Sequence, residues 1–343
     1  IEVYDLVTTE YYGEIDKKEV ISNAIDAMFV NINDYYTTYV DKDTTDTFLE
    51  DVNGTYEGIG CMISTNENGE IFIVEVFDDS PSSKAGLKEN DIILSIDGED
   101  YTSKTSSDMS EYVKNSNADK ISLTIKREEN TIDVTIERKK IEVPVVSGKV
   151  IDYEDKKVGY IDIDVFSSVS YEQLKTKLKK LEKEDIAGLV IDVRDNSGGY
   201  LTAVTDISSL FLQKGQVIYR LEDEDKSEKI KDETKTSRKY PITVLVNRGS
   251  ASASEIFASA IKESYGGFVV GTNTYGKGTV QKTKMLRDGS MVKYTIQKWL
   301  TPEGYFLNEI GVIPTHKVEI NSELDYDNQL DEALKLIINN EKN

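Results

Sequence analysis

The sequence predicts an α/β protein, and three stretches of it carry that reading. Residues 158–166 alternate as a strand, 171–183 form an amphipathic helix with Leu174, Leu178 and Leu181 inward, and 188–194 read as a buried strand. That strand runs into a glycine loop, Asp195-Asn196-Ser197-Gly198-Gly199, followed by a helix near 203–212. Further on, Ile242–Val246 is a short apolar, β-branched run. It leads through a turn of small residues, 249–253, into a helix with Ile256, Ala260 and Ile261 on one face.

The chain has 343 residues, enough for two or three domains. It is 38% hydrophobic and carries 41 Lys plus Arg against 63 Asp plus Glu, a formal charge of −22. That balance argues against nucleic acid, whose phosphates need a basic footprint. A single cysteine, Cys61, excludes an intrachain disulfide and sits in an apolar run, where a buried inert thiol is expected. No run reaches the length of a transmembrane helix, and no signal peptide is present. The chain opens at Ile1 rather than Met, which reads as a processed or truncated form without its targeting segment. No Cys/His cluster has ligand spacing, so neither metal nor other cofactor is expected.

Taken in order, residues 1–54 read as helical, with a stripe of Val20, Ile21, Ala24, Ile25, Met28 and Phe29 broken by Asn33-Asp34-Tyr35-Tyr36-Thr37-Thr38-Tyr39. Within 55–140, a glycine turn at Glu57-Gly58-Ile59-Gly60 feeds a strand, and 71–77 is a second strand. Ser80-Pro81 opens a short helix ending near Gly86, and 91–96 is a strand closed by Asp97-Gly98. From 141 to 343 comes the α/β core. Asp192 and Arg194 share a strand face and suit a structural pair. Residues 221–239 are charged and read as an exposed hairpin or loop, 291–299 as a strand and 327–338 as a closing helix.

Chemistry concentrates in Ser250-Ala251-Ser252-Ala253-Ser254-Glu255 and Gly276-Lys277-Gly278-Thr279-Val280-Gln281. Taken alone, Ser252 with Glu255 reads more readily as a helix capping box than as a nucleophile. A serine on a strand-to-helix turn is nonetheless exposed beside the free amides of a helix N-terminus. It needs a base, and the lone histidine, His316, lies in a Pro-flanked segment away from both blocks. Lys277, held between two glycines, is the alternative base.

Together these blocks resemble the C-terminal processing (tail-specific) peptidases, serine proteases with a Ser–Lys dyad and a PDZ domain. The second block, Thr274-Tyr275-Gly276-Lys277-Gly278-Thr279-Val280-Gln281, differs from the family's by Tyr for Phe, and the glycine loop has Ser197 where Pro is commoner. The resemblance implies a crotonase-like α/β protease core, an inserted PDZ domain over 55–140 and a helical arm over 1–54 that makes a homodimer in some relatives. It implies Ser252 as nucleophile, Lys277 as general base and Gln281 as its orienter. The amides of Ala253, Gly198 and Gly199 are then oxyanion donors, and Gly58, Ile59 and Gly60 form the loop that holds a substrate's terminal carboxylate. The expected substrates are proteins or peptides with free C-termini, the expected source bacterial and the expected location extracytoplasmic, with the PDZ domain gating access. Two other readings remain open: a peptide-binding scaffold on an inactive core, and a crotonase-like hydrolase of small acyl groups.

Overall fold

The computed structural model describes residues 2–341, so residues 1, 342 and 343, at the outer ends of the expected arm and core, lie outside it. The apolar runs of the core build one sheet of six strands among the described residues: Val146–Tyr153, Lys156–Ile163, Gly188–Asp192, Ile242–Val246, Phe268–Gly271 and His316–Lys317, in that spatial order. The first pair is antiparallel and every later pairing parallel. Gly188–Asp192 and Ile242–Val246 are buried at every position, which explains their unbroken hydrophobic sequence: helices cover both faces of a parallel sheet. One face carries the helices Ser170–Glu182, Leu201–Ser209 and Ala253–Ala260; the other packs against Asn328–Glu341 through Ala333, Leu334, Ile337 and Ile338.

A second sheet joins the ends of the chain. Strand Met291–Leu300 pairs with Thr279–Met285, with Val217–Glu222 of the hairpin closed by Ser227–Lys231, and with Thr38–Val40 of the N-terminal segment. The charged stretch 221–239, expected as a hairpin or loop, is the far part of this hairpin as far as Lys231 and a loop over 232–239. The Thr38–Val40 strand departs from the expectation of a mere helix break: its three residues find their partner only across the fold.

Residues 61–137 fold about their own core of Ile71, Ile73, Ile93, Ile96, Ile121, Leu123, Ile125 and Met109. Its strands run in the order Cys61–Thr65, Ile71–Val76, Ile92–Ile96, Lys120–Arg127, Asn130–Glu137. The expected Asp-Gly turn is present, with Asp97 at φ 47 and Gly98 at φ 84. This unit hangs from the core on a two-stranded ribbon, Thr55–Gly58 against Lys139–Glu142. Among the described residues the preceding arm holds three helices, Glu2–Glu10, Lys17–Val30 and Lys42–Asn53, besides the strand Thr38–Val40; the first two helices bury no residue.

Candidate active site

The turn after strand Ile242–Val246 presents three serines, and hydrogen bonding separates them. Ser250 Oγ donates to the Val193 carbonyl at 2.7 Å and accepts the Asn247 N–H at 3.0 Å; Ser254 Oγ donates to the Asn196 carbonyl at 2.8 Å. Both are fully buried and fasten the turn to the glycine loop. Ser252, between them, is half-buried. Its backbone sits at φ 54, ψ −111, outside the regions that L-residues prefer. Such strain persists only where surrounding bonds over-determine it and is typical of functional turns. Helix Ala253–Ala260 then starts directly beneath it. Every residue of that helix is buried, so the expected single apolar face is replaced by burial all round, the helix lying between the sheet and its neighbours.

Glu255 holds this turn. It is completely buried, and its carboxylate accepts from Ser252 N–H at 2.8 Å, Lys277 N–H at 2.9 Å, Gly276 N–H at 2.7 Å and Thr274 Oγ at 2.6 Å. The residue that sequence reasoning read only as the far half of a capping box therefore ties the serine turn to the Gly-Lys-Gly loop. The loop is also fixed by Trp299 Nε1 donating to the Lys277 carbonyl at 2.6 Å and by Gly278 N–H donating to Asn308 Oδ1 at 3.1 Å.

Lys277 is largely buried, and burial, helped by the like charge of Lys293, pushes its amine down to about 8 against the opposing pull of Glu255 and Asp34. Its Nζ lies 4.8 Å from the centroid of the Tyr36 ring. Among the described residues its Nζ makes no hydrogen bond, to Ser252 Oγ or to any other group. Gln281 is carried on strand Thr279–Met285; its amide nitrogen donates to Thr279 Oγ at 2.9 Å and Thr295 Oγ at 3.2 Å.

The glycine loop lies against the serine. A Cβ on Gly198 would come within 2.9 Å of Ser252 Cβ and 3.0 Å of Ala253 N, and one on Gly199 within 2.2 Å of the Phe166 carbonyl oxygen. With φ of 109 and 143, both positions demand glycine. Gly198 N–H is given to Asn196 Oδ1 at 2.8 Å, whereas neither Gly199 nor Ala253 donates its N–H among the described residues. Asp192 and Arg194 are paired at 2.6 Å, with Arg194 also bonded to Asp327 at 2.7 Å and Gln329 at 3.0 Å, a structural set tying the core strand to the closing helix. His316 is on the edge strand, its ring against Phe268.

Just before the 61–137 unit, the Ile59 carbonyl accepts from Ser82 N–H and Ser82 Oγ, and Gly60, at φ 84, packs where any Cβ would strike Ser80. Ile59, Cys61, Met62, Ile63, Met109 and Val113 line a cavity of about 840 Å³ shared with Phe48 of the arm and with Val165 and Ser197 of the core. Burial pushes the Cys61 thiol up to about 11, so it is an inert wall of that cavity.

Three stretches match known families: peptidase family S41 over 157–318, the PDZ domain over 58–137 and the activating protease CtpB N-terminal domain over 1–44. The carboxy-terminal processing protease CtpB of Bacillus subtilis is 38% identical over 345 residues, covering 98% of this chain and 71% of that protein. A Staphylococcus aureus protein named "Probable CtpA-like serine protease" is 34% identical over 316 residues, 91% of this chain and 62% of its own length. Among solved structures, the photosystem II D1 C-terminal processing protease superposes with TM-score 0.54 at 24% identity, over 93% of this chain and 86% of that one. The tricorn protease gives 0.54 at 17% identity, over 100% of this chain and 36% of that one. At such identities these two speak for the fold alone. The sequence relatives speak for more: the chain belongs to peptidase family S41, as a serine peptidase of the carboxy-terminal processing type that carries a PDZ domain.

Proposed function

We propose that the chain cuts protein substrates near their C-termini with Ser252 as nucleophile and Lys277 as general base. The observation that carries this reading is one atom: Glu255 Oε2 accepts both the Ser252 and the Lys277 N–H, so two motifs distant in sequence share one anchor. A lysine in water is protonated at neutral pH; burial lowers Lys277 into the range where its amine accepts a proton. The neutral Nζ takes the proton of Ser252 Oγ, which attacks the scissile carbonyl, and returns it to the departing amine; water then releases the acyl-enzyme. The developing oxyanion is met by the Ala253 N–H and the Gly198–Gly199 loop. Gly199 is the better placed of the two glycines, because Gly198 must first leave Asn196 Oδ1. Gln281, its nitrogen anchored on two hydroxyls, keeps its amide oxygen for the lysine amine.

In the same reading, residues 1–54 form the arm, through which two copies associate, 55–140 the PDZ domain and 141–343 the protease core. The Gly58-Ile59-Gly60 turn receives a substrate's free carboxylate, and the PDZ domain gates access. The enzyme works outside the cytoplasm. Among the described residues no helix is long and apolar enough to cross a membrane.

The test is turnover of labelled casein. Ser252→Ala and Lys277→Ala should each lose at least 10²–10⁴-fold. Lys277→Arg should be equally dead, since a guanidinium stays protonated, and His316→Ala should keep its activity. A Lys277→Arg variant with near wild-type turnover would end the Ser–Lys assignment.

A further inference from the structure

We propose that Tyr36, delivered by the N-terminal arm, parks the Lys277 side chain away from Ser252 and so holds the enzyme in a resting state. This rests on Lys277 being the base.

The arm reaches the site by backbone pairing. Thr38–Val40 adds to the edge of Met291–Leu300, and the Thr295 N–H donates to Thr37 Oγ at 3.1 Å. Asp34, just upstream, is bonded to Thr37 Oγ and to the Tyr36 N–H. These contacts fix the ring of Tyr36 with Lys277 Nζ 4.8 Å from its centroid, within cation–π range. The same arm repeats the device one strand away, where Lys293 Nζ lies 5.6 Å from the Phe48 centroid. Both lysines that face the site are thus covered by aromatic rings of the arm.

The contact has a chemical sign. A ring face attracts the ammonium and offers nothing to the neutral amine, yet the neutral amine is the form a base requires. With its Nζ against the ring and no hydrogen bond among the described residues, the contact favours the ammonium and so works against the burial that makes the amine a base. Catalysis begins when Nζ leaves Tyr36 for Ser252 Oγ. The other charged or titratable groups facing Lys277 are Asp34 on the arm, Glu255 on the helix below, Lys293 on the long strand and, beside Tyr36, Tyr275 on its own loop. Tyr36→Leu and Tyr36→Phe both remove the side-chain hydrogen bond between Tyr36 and Tyr275, so the difference between the two variants isolates the ring face.

The experiment compares wild type, Tyr36→Leu, Tyr36→Phe and Lys277→Ala in the full chain, reading kcat/KM on labelled casein against pH, with melting temperature as the check on folding. Leu keeps an apolar cover but no ring. Its turnover should rise by about 2- to 30-fold, the span of cation–π contacts from exposed to desolvated sites. The acidic limb of its pH profile should move to lower pH, because the attraction that favours the ammonium is gone while burial remains. Phe keeps the ring face, so its rise should be smaller. Should the Leu variant melt early, Tyr36→Met, equally ringless, takes its place. Turnover at or below wild type, a limb moved to higher pH (Tyr36 then only shields the amine from water), or a Phe variant that rises as far as Leu would each overturn the proposal while Lys277→Ala stays dead. An active Lys277→Ala would instead remove the Ser–Lys reading and this inference with it.

Discussion

Ser252 carries strain that its neighbours hold in place. At φ 54, ψ −111 a residue with a Cβ costs on the order of 1–3 kcal/mol, whereas glycine occupies positive φ freely. Ser252→Ala removes the proposed nucleophile and keeps the strain; Ser252→Gly removes both. Glycine at a helix N-cap loses only a few tenths of a kcal/mol, so strain relief wins. Both variants should be inactive, with Ser252→Gly more stable than Ser252→Ala by roughly 1–3 kcal/mol in urea denaturation; the reverse order would show the turn to be unstrained. A second prediction follows Lys277. As the proposed base, its amine must be neutral to accept a proton, and burial pushes it down to about 8. Turnover should therefore be low below that pH, climb through it and level off above, and Lys293→Met, which removes a like charge, should shift the rise to higher pH. A profile flat from pH 6 to 9 would exclude a lysine base. The sequence named three alternating serines but could not rank their hydroxyls without the family resemblance. The physical ranking comes from acceptors, the Val193 and Asn196 carbonyls, that are distant in sequence from Ser250 and Ser254.

At the scale of elements, the site is two loops pinned to one carboxylate. Glu255→Gln keeps the shape but replaces an acceptor oxygen with a donor nitrogen, facing N–H groups and a hydroxyl that all seek an acceptor. Leaving buried donors unmet costs about 1–3 kcal/mol each, so the variant should lose on the order of 2–4 kcal/mol in urea denaturation and most of its turnover as Lys277 drifts. An unchanged midpoint and rate would mean that the loops hold each other without it. What was legible here divides by range. The core strands, their helices and the Asp-Gly turn announce themselves because their signals are local: hydrophobic period and turn chemistry. Thr38–Val40 did not, because a strand of three residues at the edge of a sheet is too short to show a period and is defined by its partner, Met291-Val292-Lys293. Glu255 was hidden for the same reason: its sequence context describes a cap, and its remaining donors come from the loop around Lys277.

At the scale of the molecule, arm, PDZ domain and core meet around one space. The 840 Å³ cavity is walled by Phe48 and Glu50 of the arm, by Ile59, Met62 and Met109 of the PDZ unit and by Ser197, next to the Gly198–Gly199 loop. The Lys114–Glu50 ion pair at 2.8 Å spans two of these walls, though exposed pairs of this kind contribute about 0–1 kcal/mol and do not lock them together. A peptide adding as a strand beside Cys61–Thr65 would lay its side chains in the apolar part of the cavity, with its terminal carboxylate at Gly58–Gly60. Hydrogen bonds to a charged group contribute about 1.5–3 kcal/mol, and amidation removes that charge while leaving the side chains alone. Peptides ending in a free apolar residue should therefore bind the Ser252→Ala full chain about 10- to 100-fold more tightly than their amidated forms by titration calorimetry. Raising the salt concentration should narrow the gap, since charge is what differs. If free and amidated peptides bind equally, the glycines at 58 and 60 serve only the turn, and recognition rests on the apolar wall alone.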